Sequence, residues 1–197
     1  MPPVPPESPF VLLDVARLFN WDSISYASNL RDGTFNVWQN SFPAEELPES
    51  HSIVEVAGVP FRFPPKEAGH LNNIRCSGER LDLPSDRYDW VYILAASERR
   101  AEDIVYLHFT SGAIEMEWLR ISDFWPGGPQ RFGEVEAFRC KHMHFPRHIQ
   151  SGQEPVMWMQ RIPVTRQEPL AWLRLPQNIA IHIFAATALK TPEGLVQ

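Results

Sequence analysis

The chain has 197 residues, 44% hydrophobic and 12% aromatic, which suits one domain with a full core and rules out disorder for most of its length. Its formal net charge is −6, and its basic residues form no longer run than Arg99-Arg100, so the electrostatic footprint of a nucleic-acid binder is missing. No apolar run is long enough to span a membrane, and the N-terminus has neither the basic nor the apolar region of a signal peptide. The expectation is therefore a cytoplasmic protein with neither a nucleic acid nor a membrane as partner. Nineteen prolines and ten glycines argue against long helices and for many short strands. Two cysteines, Cys76 and Cys140, make no disulfide scaffold, and whether they pair is open at this level.

In chain order, residues 1–9 read as a proline-rich tail and 10–189 as one domain, with a second tail over 190–197. The first strand is expected at Phe10–Leu13. A loop-rich stretch follows from Asn20 to Leu47, with turn signals at Asn29, Asp32-Gly33 and Asn40 and a helical turn over Pro43–Leu47. Strands are then expected at Ile53–Val56, Val59–Phe63, Ile74–Cys76 and Arg80–Leu83. The unbroken apolar run Trp90–Ala96 suits a strand buried on both faces. Ile104–Thr110 and Ala113–Ile121, joined at Ser111-Gly112, form the clearest hairpin. Period-two alternation puts Ile114, Met116 and Trp118 on one face of its second arm. Glu115 and Glu117 take the other face, read as the solvated one. The remaining strands are expected at Val135–Phe145, Val156–Pro163, Leu170–Leu175 and Ile179–Leu189. The first and last strands share an apolar style and are expected to close one sandwich.

Four groups of residues could carry chemistry. On a strand His142 and His144 share a face, and paired imidazoles hold a transition metal if a third ligand arrives, for which His108, His182, Glu115 and Glu117 are available. The plain alternative is a sheet face with hydrogen-bonded histidines. Asp14, Asp22, Asp32 and Asn36 crowd oxygen ligands into the opening loops, which suits calcium, although Asp22 and Asp32 also read as ordinary turn residues. Trp21, Tyr26, Trp38, Trp125 and Trp158 lie in or near loops, where an exposed ring can stack on the apolar face of a sugar. Trp38 and Trp125, beside polar or Gly/Pro-rich turns, are the best candidates for exposure. Trp90, Trp118 and Trp172 lie in strands and are expected in the core. No nucleophile elbow, phosphate loop, dinucleotide fingerprint or Cys-x-x-Cys motif is present.

Several segments, in order, resemble galactose-binding-like, carbohydrate-binding-module-like domains. They are Leu13-Asp-Val-Ala-Arg-Leu-Phe-Asn20, Ile24-Ser-Tyr-Ala-Ser-Asn29, Asp32-Gly-Thr-Phe35, Ser41–Pro48 and Gly58–Pro64. Asn72-Asn-Ile74, Gly78, Leu83-Pro84, the hairpin at Gly112 and Ile181-His-Ile-Phe-Ala185 continue the series. The resemblance implies an all-β, two-sheet antiparallel β-sandwich of the jelly-roll kind, often with a structural calcium, here assigned to Asp22 and Asp32. It also implies sugar binding or domain support rather than catalysis, although a few stand-alone relatives act as cyclases.

The leading expectation is a binding module for a sugar or polyhydroxylated small molecule, with Tyr26, Trp38, Trp125, Arg147 and His148 as ligand-binding residues. The rival is a small-molecule biosynthetic enzyme, a cyclase, lyase or isomerase, using His142, His144 and Glu115. A third reading is an oligomerising or partner-binding subunit.

Overall fold

A computed structural model describes residues 8–125 and 130–192. Most of both expected tails, and the Gly/Pro-rich segment 126–129, lie outside the described residues. In chain order the strands are β1 (Phe10–Leu12), β2 (Ile24–Ser25), β3 (Phe42–Pro43), β4 (Ile53–Val56), β5 (Val59–Arg62), β6 (Ile74–Arg75), β7 (Arg80–Asp86) and β8 (Tyr88–Ser97). They continue as β9 (Ala101–Phe109), β10 (Ile114–Ile121), β11 (Val135–Arg139), β12 (His142–Phe145), β13 (His148–Ser151), β14 (Val156–Pro163), β15 (Leu170–Arg174) and β16 (Ile181–Lys190). Short 3-10 turns at Ala16–Leu18 and Ala44–Glu46 are the helical elements among the described residues. The second takes the place of the expected turn at Pro43–Leu47. No helix among the described residues is long and apolar enough to cross a membrane.

The fold is all-β. A six-stranded antiparallel sheet runs β1-β16-β8-β14-β11, with β6 also on β16, and a four-stranded antiparallel sheet runs β10-β9-β15-β7. The first and last strands pair as expected, Phe10 opposite Leu189 and Leu12 opposite Thr187. Between the two sheets lies the main core: Val91, Ile93 and Ala95 of β8, Val156, Trp158 and Ile162 of β14, and Ile181 and Ile183 of β16. These meet Leu81, Val105, Leu107, Leu119, Ile121, Leu170 and Leu173 of the smaller sheet. Packing one set against the other removes both from water, the dominant stabilising term in such a sandwich.

The larger sheet is buried on its other face too. Leu94, Ala96, Met157, Met159, Phe184 and Ala185 pack beneath a layer built from the opening loops and small hairpins, through Ile24, Phe35, Phe42, Phe61, Phe63 and Met143. This second core explains why β8 and β16 read as nearly continuous apolar runs. A bulge between Ile183 and Ala185 shifts the phase of β16, so that Phe184 and Ala185 both face the second core while Ile183 and Ala186 face the first. Gly33 is required in the loop layer for space: a Cβ there would lie 2.3 Å from the Ile24 carbonyl oxygen.

Three expectations are corrected. The run Val135–Phe145 is two strands broken at Cys140-Lys141, and β12 turns back on β13, a strand missing from the sequence reading. On β10 the faces are the reverse of the expected ones. Ile114, Met116 and Trp118 are 55%, 64% and 50% exposed, whereas Glu115 and Glu117 lie half-buried on the side of Leu119 and Ile121. Glu115 is held there by Arg166 at 3.0 Å, and inward-pointing charge at a sheet edge discourages a further strand from adding. Trp118 is thus not a core residue, and Trp90 and Trp172 are half-buried; the fully buried tryptophan is Trp158, expected near a loop. Cys76 and Cys140 are both free and buried, and burial pushes the Cys140 thiol up to about 12.

Candidate functional site

The site lies where β8 and β10 end and the loop layer meets the larger sheet. Phe35 anchors it. The ring is fully buried, 4.3 Å from Phe124 and 4.4 Å from His182 between centroids. From that anchor the chain makes a tight turn over 36–40. The Asn36 side chain accepts the Trp38 N–H at 3.0 Å, the Asn36 carbonyl accepts the Gln39 N–H at 2.8 Å, and the Asn40 carbonyl accepts the Phe35 N–H at 2.6 Å. The turn buries both asparagines and lifts Trp38 into solvent, 58% exposed.

The facing wall comes from the segment after β10. Asp123 bridges to Ser97, the Phe124 N–H donates to the Ser97 carbonyl at 2.9 Å, and Trp158 Nε1 donates to the Asp123 carbonyl at 3.1 Å. Asp123 Oδ1 accepts the Trp125 N–H at 3.0 Å and holds that indole out, 46% exposed. Ser41 and His144 exchange backbone hydrogen bonds, which brings Phe145 alongside Asn40. The result is an open cavity of about 410 Å³ lined by Asn36, Trp38, Asn40, Glu98, Arg99, Asp123, Phe124, Trp125 and Phe145.

Two side-chain atoms in this lining are buried without a hydrogen-bond partner, Asn36 Nδ2 and Asn40 Oδ1. One is a donor and the other an acceptor, and leaving each unmet costs about 1–3 kcal/mol.

Beneath the cavity runs a buried polar chain. Asn73 Nδ2 donates to Ser23 Oγ at 2.8 Å, to Asn72 Oδ1 at 2.8 Å and to the Trp21 carbonyl at 3.2 Å, which turns its Oδ1 toward His182. His182 Nδ1, at 2.8 Å, therefore donates to that oxygen. His182 Nε2 then faces Glu98 Oε1 at 3.6 Å, and Arg75 Nη2 donates to the same oxygen at 3.1 Å. In the neutral ring the Nε2 lone pair points at a carboxylate, while in the charged ring a cation is fully buried. Burial wins, and the His182 pKa lies below its ordinary value despite the pull of Glu98. Burial lifts the Glu98 carboxyl, but His182 and Arg75 outweigh it and hold it below the ordinary value. Burial pushes Asp123 up, against its bond from the Trp125 N–H and the charge of Arg99.

The structure thus brings Trp38 and Trp125 into one cavity, from opposite walls. His148 stands one step behind it, stacked on Phe145 at 5.0 Å, and Arg147 is exposed in the turn beyond. Tyr26 packs against the second core and does not line the cavity. The residues expected to act together, His142, His144 and Glu115, are not brought together: the histidines lie in the loop layer on one side of the larger sheet, and Glu115 in the smaller sheet on the other. His142 Nδ1 pairs with Glu46 at 2.9 Å, and His144, fully buried, bonds Ser25 Oγ through Nδ1 at 3.0 Å. Among the described residues no three His, Cys, Asp or Glu side chains gather as a metal site.

Asp22 and Asp32, the expected calcium ligands, take part in the hydrogen bonds of the loop layer. Asp22 Oδ1 already accepts the Ile24 N–H and Asn72 Nδ2, and Asp32 Oδ2 accepts the Gly69 N–H. Burial lifts Asp22 to about 6, with Asp32 adding to the rise.

Sequence reasoning missed Glu98, Arg99, Asp123 and Phe145 as site residues, and Asn36 and Asn40 as its buried amides. No local signal marks Glu98 after β8 or Asp123 after β10, since solvated carboxylates stand equally well at strand ends beside turns.

A family model described as AziU2-like beta-sandwich domain matches residues 11–192. No match to the chain is found among curated proteins. The chain belongs to the AziU2-like β-sandwich domain family.

Proposed function

We propose, for this member of that β-sandwich family, that it binds a polyhydroxylated small molecule, a sugar or a glycosylated compound, in the cleft between Trp38 and Trp125. One observation carries the reading: two half-exposed indoles, Trp38 and Trp125, line one cavity together with polar side chains, Asn36 and Asn40 among them. A hydroxyl group both donates and accepts, which suits a lining that mixes amide, carboxylate and guanidinium side chains. The indoles supply apolar faces for the C–H surface of such a ligand. Charge supports the same class. Glu98 is matched by Arg75, and Asp123 by the neighbouring Arg99. The carboxylates and guanidinium groups cancel, so the cleft favours an uncharged guest.

The test is a thermal melt against a panel of mono- and oligosaccharides and inositols, in the presence of calcium or a chelator. A ligand at a hundred times its dissociation constant stabilises the native state by about 2.7 kcal/mol. The expected result is a shift with one sugar class, reduced in Trp38→Ala and Trp125→Ala, both of which stay folded. No shift with any member, or equal shifts in both variants, defeats the assignment.

A second reading, an acid–base enzyme acting on such a molecule, is favoured by the opposite displacements of two carboxyls in one cleft, Glu98 down and Asp123 up. It moves the candidate catalytic groups from His142, His144 and Glu115 to this pair. Turnover of a bound sugar that disappears in Glu98→Gln and Asp123→Asn separates it from simple binding.

A further inference from the structure

We propose that two copies of this chain pair through the outer face of the smaller sheet, β10-β9-β15-β7, a surface that shares no residue with the cleft lining. Residues directly opposite one another across an antiparallel pair share a face, so the registers fix what this one carries. One row is Ile114, His108, Trp172 and Asp82, and the next is Met116, Tyr106, Arg174 and Arg80. Trp118 stands opposite Ile104 in a third. The alternate residues, Leu81, Val105, Leu107, Leu119 and Leu173, face the main core. The outer face is thus rich in large apolar and aromatic side chains, and on β10 Ile114, Met116 and Trp118 are each at least half exposed. A strand at the edge of a solitary sandwich gains most by turning such residues inward and its carboxylates to water. β10 does the reverse and half-buries Glu115 and Glu117. That choice suits a face that is itself covered, and a contiguous exposed apolar patch of this extent marks an interaction surface.

Three features fit a second copy as the cover. The inward-pointing Glu115 and Glu117 discourage strand addition at the edge, so the partner lies on the face. The face is flat, because its arginines lie on rings: the Arg80 guanidinium is 4.6 Å over Trp172 and that of Arg120 is 5.2 Å over Trp118. Flat faces of this kind stack in aligned sheet packing. The face also complements itself in charge, since Arg80 sits 2.7 Å from Asp82 and Arg120 sits 3.2 Å from Glu102. A two-fold axis crossing the strands between the first two rows lays each row on the other. Ile114 then meets the partner's Met116, and Asp82 meets the partner's Arg80. Four strands about 4.8 Å apart and about eight residues long cover about 500 Å² in projection. Side chains raise the accessible area above that, toward the roughly 800 Å² that each partner gives a standard interface. The size is that of a reversible dimer rather than an obligate one.

The experiment is sedimentation equilibrium of the full chain from micromolar to submillimolar concentration. The expected result is a reversible monomer–dimer equilibrium. Met116→Lys, a change at an exposed position, weakens it at least tenfold, while Leu71→Lys, equally exposed but in the loop before β6, leaves it unchanged. Two further variants test the pairing of the rows. Arg80→Glu and Asp82→Arg each put like charges against one another in a homodimer and dimerise weakly alone; mixed, they restore opposite charges at both contacts and pair. A monomer at every concentration overturns the inference, as does a dimer that Met116→Lys and Leu71→Lys affect equally. A mixture that associates no better than either variant alone overturns it as well, since the rows then do not meet.

Discussion

His144 and His182 are both fully buried, His144 in the layer that covers the larger sheet and His182 on β16 of that sheet, against Phe35 of the layer, and both have an Nε2 without a hydrogen-bond partner. Their surroundings differ. His144 ends in hydroxyls: Nδ1 meets Ser25 Oγ, and Ser25 Oγ lies 2.7 Å from Ser41 Oγ. His182 ends in a carboxylate that lines the cleft. The first imidazole fastens β12 to the opening loops and the second fixes a wall of the cavity. Identical burial therefore does not make identical function; the group at the far nitrogen decides it.

The largest effect expected is from Phe35→Ala. That ring stands between Phe124 and His182 and seats the turn bearing Trp38, so its loss should cost about 3–5 kcal/mol and erase ligand binding. Urea denaturation and a ligand titration measure the two parts. A loss under about 1 kcal/mol would mean that the turn is held by its own hydrogen bonds instead.

His182→Gln and His144→Gln sharpen the contrast directly. Each removes a buried hydrogen bond and should cost about 1–3 kcal/mol. Only His182→Gln is expected to weaken the sugar identified in the melts, because only His182 orients Glu98. Equal effects of the two variants on affinity would dissolve the distinction.

The pH dependence is smaller and has a definite sign. Burial holds both histidines below the ordinary value of 6.5, so the unfolded chain takes up protons that the folded one refuses. Their stabilising contribution is present above pH 6.5 and declines as the pH falls below it. Asp22 acts in the opposite sense: raised from 3.8 to about 6, its contribution is full below 3.8 and is lost as the pH rises through 6. Urea midpoints at pH 7.5 and 5.5 should show a net fall toward acid, reduced in each histidine variant. A fall of the same size in both variants and the parent would place the titration elsewhere.

The smallest effect is expected on the outer sheet. Trp118→Ser should change stability by no more than about 0.5 kcal/mol, since the ring is half in solvent, and should leave the cleft untouched. Replacing the half-buried Glu117 beside it by Gln tests the inverted faces of β10. Burial and the nearby Glu115 push the Glu117 carboxyl up, so this variant should be neutral or mildly stabilising at pH 7.

Much of the strand plan was legible because it rests on period and run length. Val156–Pro163 and Ile53–Val56 carry their bounds in the flanking turns, and the unbroken apolar run in β8 announces burial on both faces. The β12–β13 hairpin was not legible, because the break at Cys140-Lys141 and the strand His148–Ser151 carry no glycine turn signal ahead of them. The faces of β10 were misread for a related reason. Alternation reveals that a strand has two faces but not which one meets the core, and at an edge the usual assignment of apolar residues inward can fail. In the site, Trp38 and Trp125 were readable from their neighbours, but Glu98 and Asp123 were not, since nothing local distinguishes a carboxylate on a cavity wall from one in solvent.

By itself the sequence determined the all-β class, the closing of β1 on β16, the burial of β8 on both faces and the exposure of Trp38 and Trp125, because these follow from hydrophobic periodicity and turn chemistry. The tertiary structure decided which residues meet. It set Trp38 and Trp125 in one cavity, put Glu98 in the lining with His182 and Arg75 behind it, and parted His142 and His144 from Glu115 across the larger sheet. Contacts between residues 35 and 182, or 97 and 123, depend on how layers stack, and stacking is fixed by the summed packing of two cores rather than by any local pattern.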